Sequence, residues 1–144
     1  MIEYLSKAAS VWFLGFFPLA EIYIAVPAGL ALGLGVVSAI GWAAFGNIVP
    51  VLMIHYGYDG LRRIAWMDRW LGRLSNETMR ARMDRWGVWA VLIFTPWTGV
   101  WAMAAVAKAL GMSGSRLIPA ALTSILVYSV IVVLIISAGG TVVD

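Results

Sequence analysis

The stretch FPLAEIYIAVPAGLALGLG, residues 17–35, decides the fold of this chain. It belongs to a longer apolar stretch, residues 8–34, which is about long enough to span a bilayer. Pro18 and Pro27 each remove a backbone donor and obstruct a helical turn, and Glu21 places a carboxylate between them. Two breaks and a carboxylate predict a hairpin of two half-helices that re-enters the membrane, rather than one straight span.

The composition of the whole chain also indicates a membrane protein. Of its 144 residues, 62% are hydrophobic and 12% are charged, whereas a soluble domain is about 45–50% apolar. A bilayer accommodates so much apolar surface because lipid replaces water as the solvent. We therefore expect an all-α integral membrane protein of the cytoplasmic (inner) membrane, in which residues 1–144 form a single multi-pass membrane domain.

A second broken stretch, residues 88–111, repeats the first at a spacing of 78 residues, because Phe17-Pro18 matches Thr95-Pro96. The predicted repeats, each a broken hairpin followed by a transmembrane helix, cover residues 8–56 and 88–138. Matching Pro- and Gly-interrupted segments in two halves indicate a transporter binding site. If each hairpin re-enters, each half crosses the membrane once, and the two halves form an inverted repeat.

The basic segment 57–87, which joins the two halves, carries seven of the ten basic residues of the chain. From Leu61 onward, apolar residues recur on one helical face, which predicts an interfacial amphipathic helix. Three arginines on the opposite face are expected to contact anionic lipid headgroups: Arg62, Arg69 and Arg73. Ser75 or Asn76 is expected to cap a second short helix that ends at Gly87. The positive-inside rule places this segment in the cytoplasm.

The sequence offers no set of residues for catalysis. The chain has no Cys and one His, and it shows no nucleophile with a base, no phosphate loop and no paired carboxylates. We therefore expect no enzyme activity, no metal site and no cofactor. The net charge of +3 comes from interleaved charges of both signs, which favours a membrane surface over nucleic acid as a partner.

Several motifs of the chain resemble the small multi-drug export family. Residues 17–35 and FGNIVP, residues 45–50, resemble its P-x-x-E-x-x-x-x-x-P-x-G and G-N-x-x-P elements, and IFTPWTGVWAMAAVAKALG, residues 93–111, resembles its P-x-T-G-x-W element. The resemblance covers roughly residues 12–138. That family is similar to the DedA superfamily, which implies inverted re-entrant hairpins and proton-linked transport or lipid translocation. A basic residue usually follows the family's Glu by two places. Here Tyr23 stands there, so an ion pair within the motif is lost.

Glu21 is the strongest functional candidate, because a carboxylate in lipid costs at least about 2.5–3.5 kcal/mol unless it is paired, hydrated or protonated. It could carry a proton or a cation, or it could cap the half-helix that begins near Pro18. The other candidates for transport or proton binding are Tyr23, Asn47, Thr95, Thr98 and Lys108. Helix breaks are expected at Pro18, Pro27, Pro50, Pro96 and Gly99.

Each of these candidates also has a structural interpretation. Asn47 could satisfy a neighbouring backbone group, and Lys108 could extend to the interface instead of pairing with Glu21. The hydroxyls of Thr95 and Thr98 could line a polar cavity or satisfy the unwound turn. If the hairpin tips meet near the midplane, Glu21 lies within reach of the second break.

The predicted function is transport of a small molecule or lipid, coupled to protons through Glu21. The alternative is a non-transporting membrane scaffold or assembly protein that binds anionic lipid or a partner. The expected partners are anionic lipid headgroups, an unknown transported substrate and a second copy of the chain in a homo-oligomer, with no nucleic acid among them.

The topology can be tested with accessibility tags. Tags at either terminus should be reachable from outside the cell, while the basic segment 57–87 is protected, because two re-entrant hairpins leave two crossings and the arginines stay inside. Selective labelling of intact cells measures this. Cytoplasmic tags at both ends would instead establish four full spans.

Overall fold

The computed structural model of the protein describes residues 1–74 and 76–140, with only the backbone for Leu61, Leu74 and Gly140. Within this part the chain is all-helical, as predicted. Seven helices follow one another: α1 Ile2–Phe16, α2 Glu21–Ala31, α3 Val36–Arg62, α4 Ala65–Leu74, α5 Glu77–Thr98, α6 Val100–Ala109 and α7 Gly114–Gly140.

Two of the helices, α3 and α7, are long and apolar enough to cross a membrane, over Val36–Gly60 and Gly114–Gly139. At about 1.5 Å per residue, each exceeds the roughly 30 Å hydrocarbon core of a bilayer. Much of the apolar surface of α7 is exposed, including Leu126, Val130, Leu134 and Ile135. Contact with lipid accounts for this exposure, because the same surface in water would be unfavourable.

Helix bounds recur at the spacing of the predicted repeat. Helices α3 and α7 have 27 residues each and begin at residues 36 and 114, which are 78 positions apart. Helices α2 and α6 have 11 and 10 residues, so each is about half as long as the bilayer core is thick. Both end at a left-handed glycine, with φ of 80° at Gly33 and 88° at Gly111.

The chain divides into two compact units. One consists of residues 1–49 and the C-terminal segment from residue 125, and the other of residues 50–124. In the first unit α1 packs against α2, and α3 packs closely on both. A Cβ on Gly46 of α3 would overlap the carbonyl oxygen of Trp12 in α1, and a Cβ on Gly29 of α2 would lie 2.9 Å from that of Ala39.

In the second unit, residues 50–124, α6 contacts both α4 and α5. Asn76 caps α5, as predicted, because its side chain accepts a 2.7 Å hydrogen bond from the backbone N–H of Met79. Arg116 at the start of α7 donates to the carbonyl oxygen of Asp84 at 2.8 Å. The alternative cap, Ser75, lies outside the described residues.

The helix breaks differ from the predicted ones. Pro18 and Gly99 lie between helices, but α2, α3 and α5 continue across Pro27, Pro50 and Pro96. A proline frees the carbonyl four residues before it, and in α5 that carbonyl belongs to Leu92. It accepts a 3.2 Å hydrogen bond from the hydroxyl of Ser124 in α7. A neighbouring helix thus supplies the donor that Pro96 lacks.

The predicted short helix ending at Gly87 is also wrong, because α5 runs unbroken from Glu77 to Thr98. Gly87 is buried, and a Cβ there would lie 2.7 Å from the sulfur of Met83. Gly87 thus packs against the Met83 side chain one turn before it, and the helix does not end there.

Replacing Gly46 with Ala should destabilise the protein by about 1–3 kcal/mol, because the added methyl group overpacks the contact between α1 and α3. Gly41→Ala in the same helix is the matched control, since nothing lies within 4 Å of a Cβ there. Thermal unfolding in detergent compares the two variants. An equal effect of both substitutions would contradict the close contact at Gly46.

Candidate functional site

The candidate site is built around Glu21, the first residue of α2. Only 5% of its surface is exposed. It has a φ of 46° and is the one non-glycine residue in the described part of the chain with a positive φ. The left-handed conformation costs an L-residue about 1–2 kcal/mol, and burial of a carboxylate adds to that cost. Such costs concentrate at functional sites.

The local sequence explains why the chain breaks before Glu21. Phe17 precedes a proline and is extended, with φ of −73° and ψ of 128°, because Pro18 excludes the helical conformation from the residue before it. Helix α1 therefore ends at Phe16. The carbonyl oxygen of Phe17 then accepts hydrogen bonds from the N–H groups of Ala20 and Glu21, both at 3.1 Å. This turn starts α2 at Glu21.

The register of α2 against α3 places Glu21 near the middle of the candidate span. The two helices meet where Gly29 faces Ala39, just after the chain reverses direction at Gly33. Glu21 lies eight residues before Gly29, and Asn47 lies eight residues after Ala39, so both are about 12 Å along their helices from that contact. Asn47 is close to the midpoint of Val36–Gly60.

Asn47 is the most deeply buried of the predicted site residues, with 1% of its surface exposed. Neither the oxygen nor the nitrogen of its carboxamide has a hydrogen-bond partner within residues 1–74 and 76–140. A buried polar group without a partner costs about 1–3 kcal/mol. Asn47 therefore does not satisfy a neighbouring backbone group, which was one of its two interpretations.

Tyr23 follows Glu21 by two positions and is exposed. It lies within electrostatic range of both Glu21 and Tyr128 of α7. All three residues belong to the first unit.

The second break has a glycine where the first has Glu21. Gly99 is 78 positions further on and has a φ of 78°, and its N–H bonds to the carbonyl of Thr95 at 2.8 Å. The Thr95 hydroxyl donates to the carbonyl of Val91, and the Thr98 hydroxyl donates to that of Phe94 at 3.0 Å. Both threonines thus bond within their own helix, so their protons are engaged there.

Lys108 lies near the end of α6, with its ammonium nitrogen 5.8 Å from the centre of the Tyr58 ring. This distance is that of a cation–π interaction. Both interpretations of Lys108, extension to the interface and pairing with Glu21, stay open. The predicted approach of Glu21 to the Pro96–Gly99 turn stays a prediction.

The three predicted lipid-surface arginines are all exposed. Arg62 donates from Nε to the Asp68 carboxylate at 2.8 Å, which raises the pKa of the Arg62 guanidinium and keeps it charged. Arg69 donates to the carbonyl of Ala65 at 3.1 Å.

Sequence reasoning missed Tyr58 and Arg80, which line a small cavity together with Arg62. The signal for Tyr58 was its position four residues before Arg62, on the same helical face. Arg80 carried no comparable signal, because it belongs to a different helix. No three His, Asp or Glu side chains of the described residues come together in a way that could hold a metal ion.

Comparison with known proteins agrees with the motifs. The chain matches the family described as Putative small multi-drug export protein over residues 21–131. No curated protein and no solved structure matches the chain.

The strain at Glu21 can be measured by comparing two substitutions that both remove the carboxylate. Glu21→Gly should be more stable than Glu21→Ala by about 1–2 kcal/mol, because glycine adopts a positive φ without steric cost. Thermal unfolding of the two variants in the same detergent measures the difference. If Ala is as stable as Gly at position 21, the backbone there is not left-handed in the protein.

Proposed function

Because the chain belongs to the small multi-drug export family, we propose that it is a membrane transporter that exports a small molecule or lipid and exchanges a proton at Glu21. The observation that carries this proposal is the buried carboxylate at a strained helix break. Glycine would adopt the positive φ at position 21 without strain, as Gly99 does at the second break. A glutamate in its place therefore indicates a use for the carboxylate.

Proton exchange at Glu21 follows from the energetics of charge in a membrane. An ionised carboxylate at bilayer depth costs at least about 2.5–3.5 kcal/mol, and binding a proton or a cation removes that cost. A transporter can use this by loading the group on one side and unloading it on the other. The unpartnered carboxamide of Asn47, at the same level along the helices, offers a donor and an acceptor to a transported molecule.

The helix lengths support a re-entrant architecture. Helix α2 covers about half of the bilayer core and begins level with the middle of α3, so a hairpin of α1 and α2 that turns back at midplane accounts for its length. Helix α6 is equally short. Two such hairpins and two spans form the proposed inverted repeat, as in the DedA superfamily, with both termini outside and the basic segment 57–87 on the cytoplasmic side of the inner membrane.

So small a chain needs a second copy to enclose a pathway, and we therefore propose a homo-oligomer. The proposal includes no enzyme activity.

The alternative, a non-transporting scaffold, is favoured by one observation. Helix α4 exposes Trp66 and Trp70 together with Arg69 and Arg73, while Leu71 is buried against the protein. This pattern is typical of a helix that lies in the headgroup layer. A scaffold would use that surface without any need for Glu21.

Proton flux into liposomes distinguishes the two functions. Glu21→Gln should reduce flux to that of empty liposomes, because an amide keeps the shape of the group but cannot exchange a proton. Glu77→Gln is the matched control, since Glu77 is exposed in the first turn of α5, and it should leave flux unchanged. Flux that is absent in the wild type, or equal in wild type and Glu21→Gln, would rule out proton exchange at Glu21.

A further inference from the structure

Four helices of the second unit enclose a cavity of about 60 Å³ near the end of the α3 span. It is lined by Tyr58 and Arg62 of α3, Leu71 and Gly72 of α4, Arg80 of α5, and Ala109 of α6. A single water needs only about 10–15 Å³ of such space. The cavity therefore has room for a small polyatomic group.

The charges around the cavity favour an anion. Arg62 and Arg80 line it, and Lys108 lies over the Tyr58 ring. Two carboxylates of the described residues, those of Asp59 and Asp68, lie within electrostatic range of Tyr58, against these three cations. Asp68 holds Arg62 through Nε, an ion pair that orients the guanidinium and leaves its terminal nitrogens as further donors.

We propose that this cavity binds a phosphate group, and that in the membrane the group is the headgroup phosphate of an anionic lipid. The planar donor fork of arginine matches the oxygens of a phosphate, and two such forks with a phenol hydroxyl provide several charge-assisted hydrogen bonds. The cavity follows directly after the Val36–Gly60 span, and the exposed Trp66 and Trp70 nearby mark a headgroup layer.

This site differs from the diffuse attraction of a basic helix to an anionic surface. In diffuse attraction, every exposed arginine contributes about equally to the affinity for the anionic surface, and salt weakens that affinity. A built site depends on Arg80 and on the open space at Gly72, where a Cβ would meet nothing within 4 Å. It is also independent of the proposed transport, because Glu21 does not line the cavity.

The test uses the purified full-length protein in a neutral detergent, titrated with dioctanoyl phosphatidylglycerol and followed by native mass spectrometry. Arg80→Gln should weaken binding by about tenfold or more, because a hydrogen bond to a charged group contributes about 1.5–3 kcal/mol. Gly72→Met should weaken it similarly by filling the space. Arg82→Gln and Gly60→Met are the matched controls, since both residues are exposed and neither lines the cavity, and both variants should bind as the wild type does.

Each outcome decides for or against the site. Losses confined to Arg80→Gln and Gly72→Met support it, and so does unchanged binding in Glu21→Gln, whatever that variant does to proton flux. Equal losses in Arg80→Gln and Arg82→Gln overturn it in favour of diffuse attraction. Inorganic phosphate that competes at the same concentration as the lipid overturns the assignment to a headgroup. Thermal unfolding of each variant shows whether it has folded, and Arg80→Lys replaces Arg80→Gln if the latter has not.

Discussion

Every backbone group that a helix break releases in this chain must find its partner within the protein, because lipid offers no hydrogen bonds. The first break is closed by the carbonyl of Phe17, which receives two N–H groups. At the second, the N–H of Gly99 returns to Thr95, and the carbonyl released by Pro96 is met by Ser124. In the proposed re-entrant hairpins, these local bonds would let the ends of the half-length helices α2 and α6 lie within the membrane.

The helix breaks at Glu21 and Gly99 have similar backbone conformations but different side chains. Glu21 and Gly99 stand 78 positions apart with positive φ, a conformation that glycine adopts freely and glutamate does not. A carboxylate in such a position is unfavourable both for its backbone and for its burial. Strain of this kind persists where the group has a use, which is why the proposed function is centred on the first half of the chain. The second half has the same break without the ionisable group.

The arginines of the basic segment 57–87 differ from Glu21 in that they are exposed. The segment's ion pairs, such as that of Arg62 with Asp68, are exposed and contribute little to stability. In the proposed phosphate site, the pair with Asp68 serves to orient the donors of Arg62. Tyr58, Arg62 and Arg80 meet only because α4 packs against α6 beside the end of α3. The same packing positions Lys108 over an aromatic ring.

The sequence alone determined the helical class, the two apolar spans, a helix cap at Ser75 or Asn76 and the spacing of 78 residues, because these depend on local composition and periodicity. It also identified Glu21, since a carboxylate within an apolar stretch is visible without a structure. Tertiary structure decided which prolines break a helix, because Pro96 is tolerated only where Ser124 can reach the freed carbonyl. It also decided what packs on Gly87, that the Asn47 carboxamide has no hydrogen-bond partner among the described residues, and that Tyr58 and Arg80 share a cavity. These features depend on contacts between residues far apart in the chain, which no local pattern encodes.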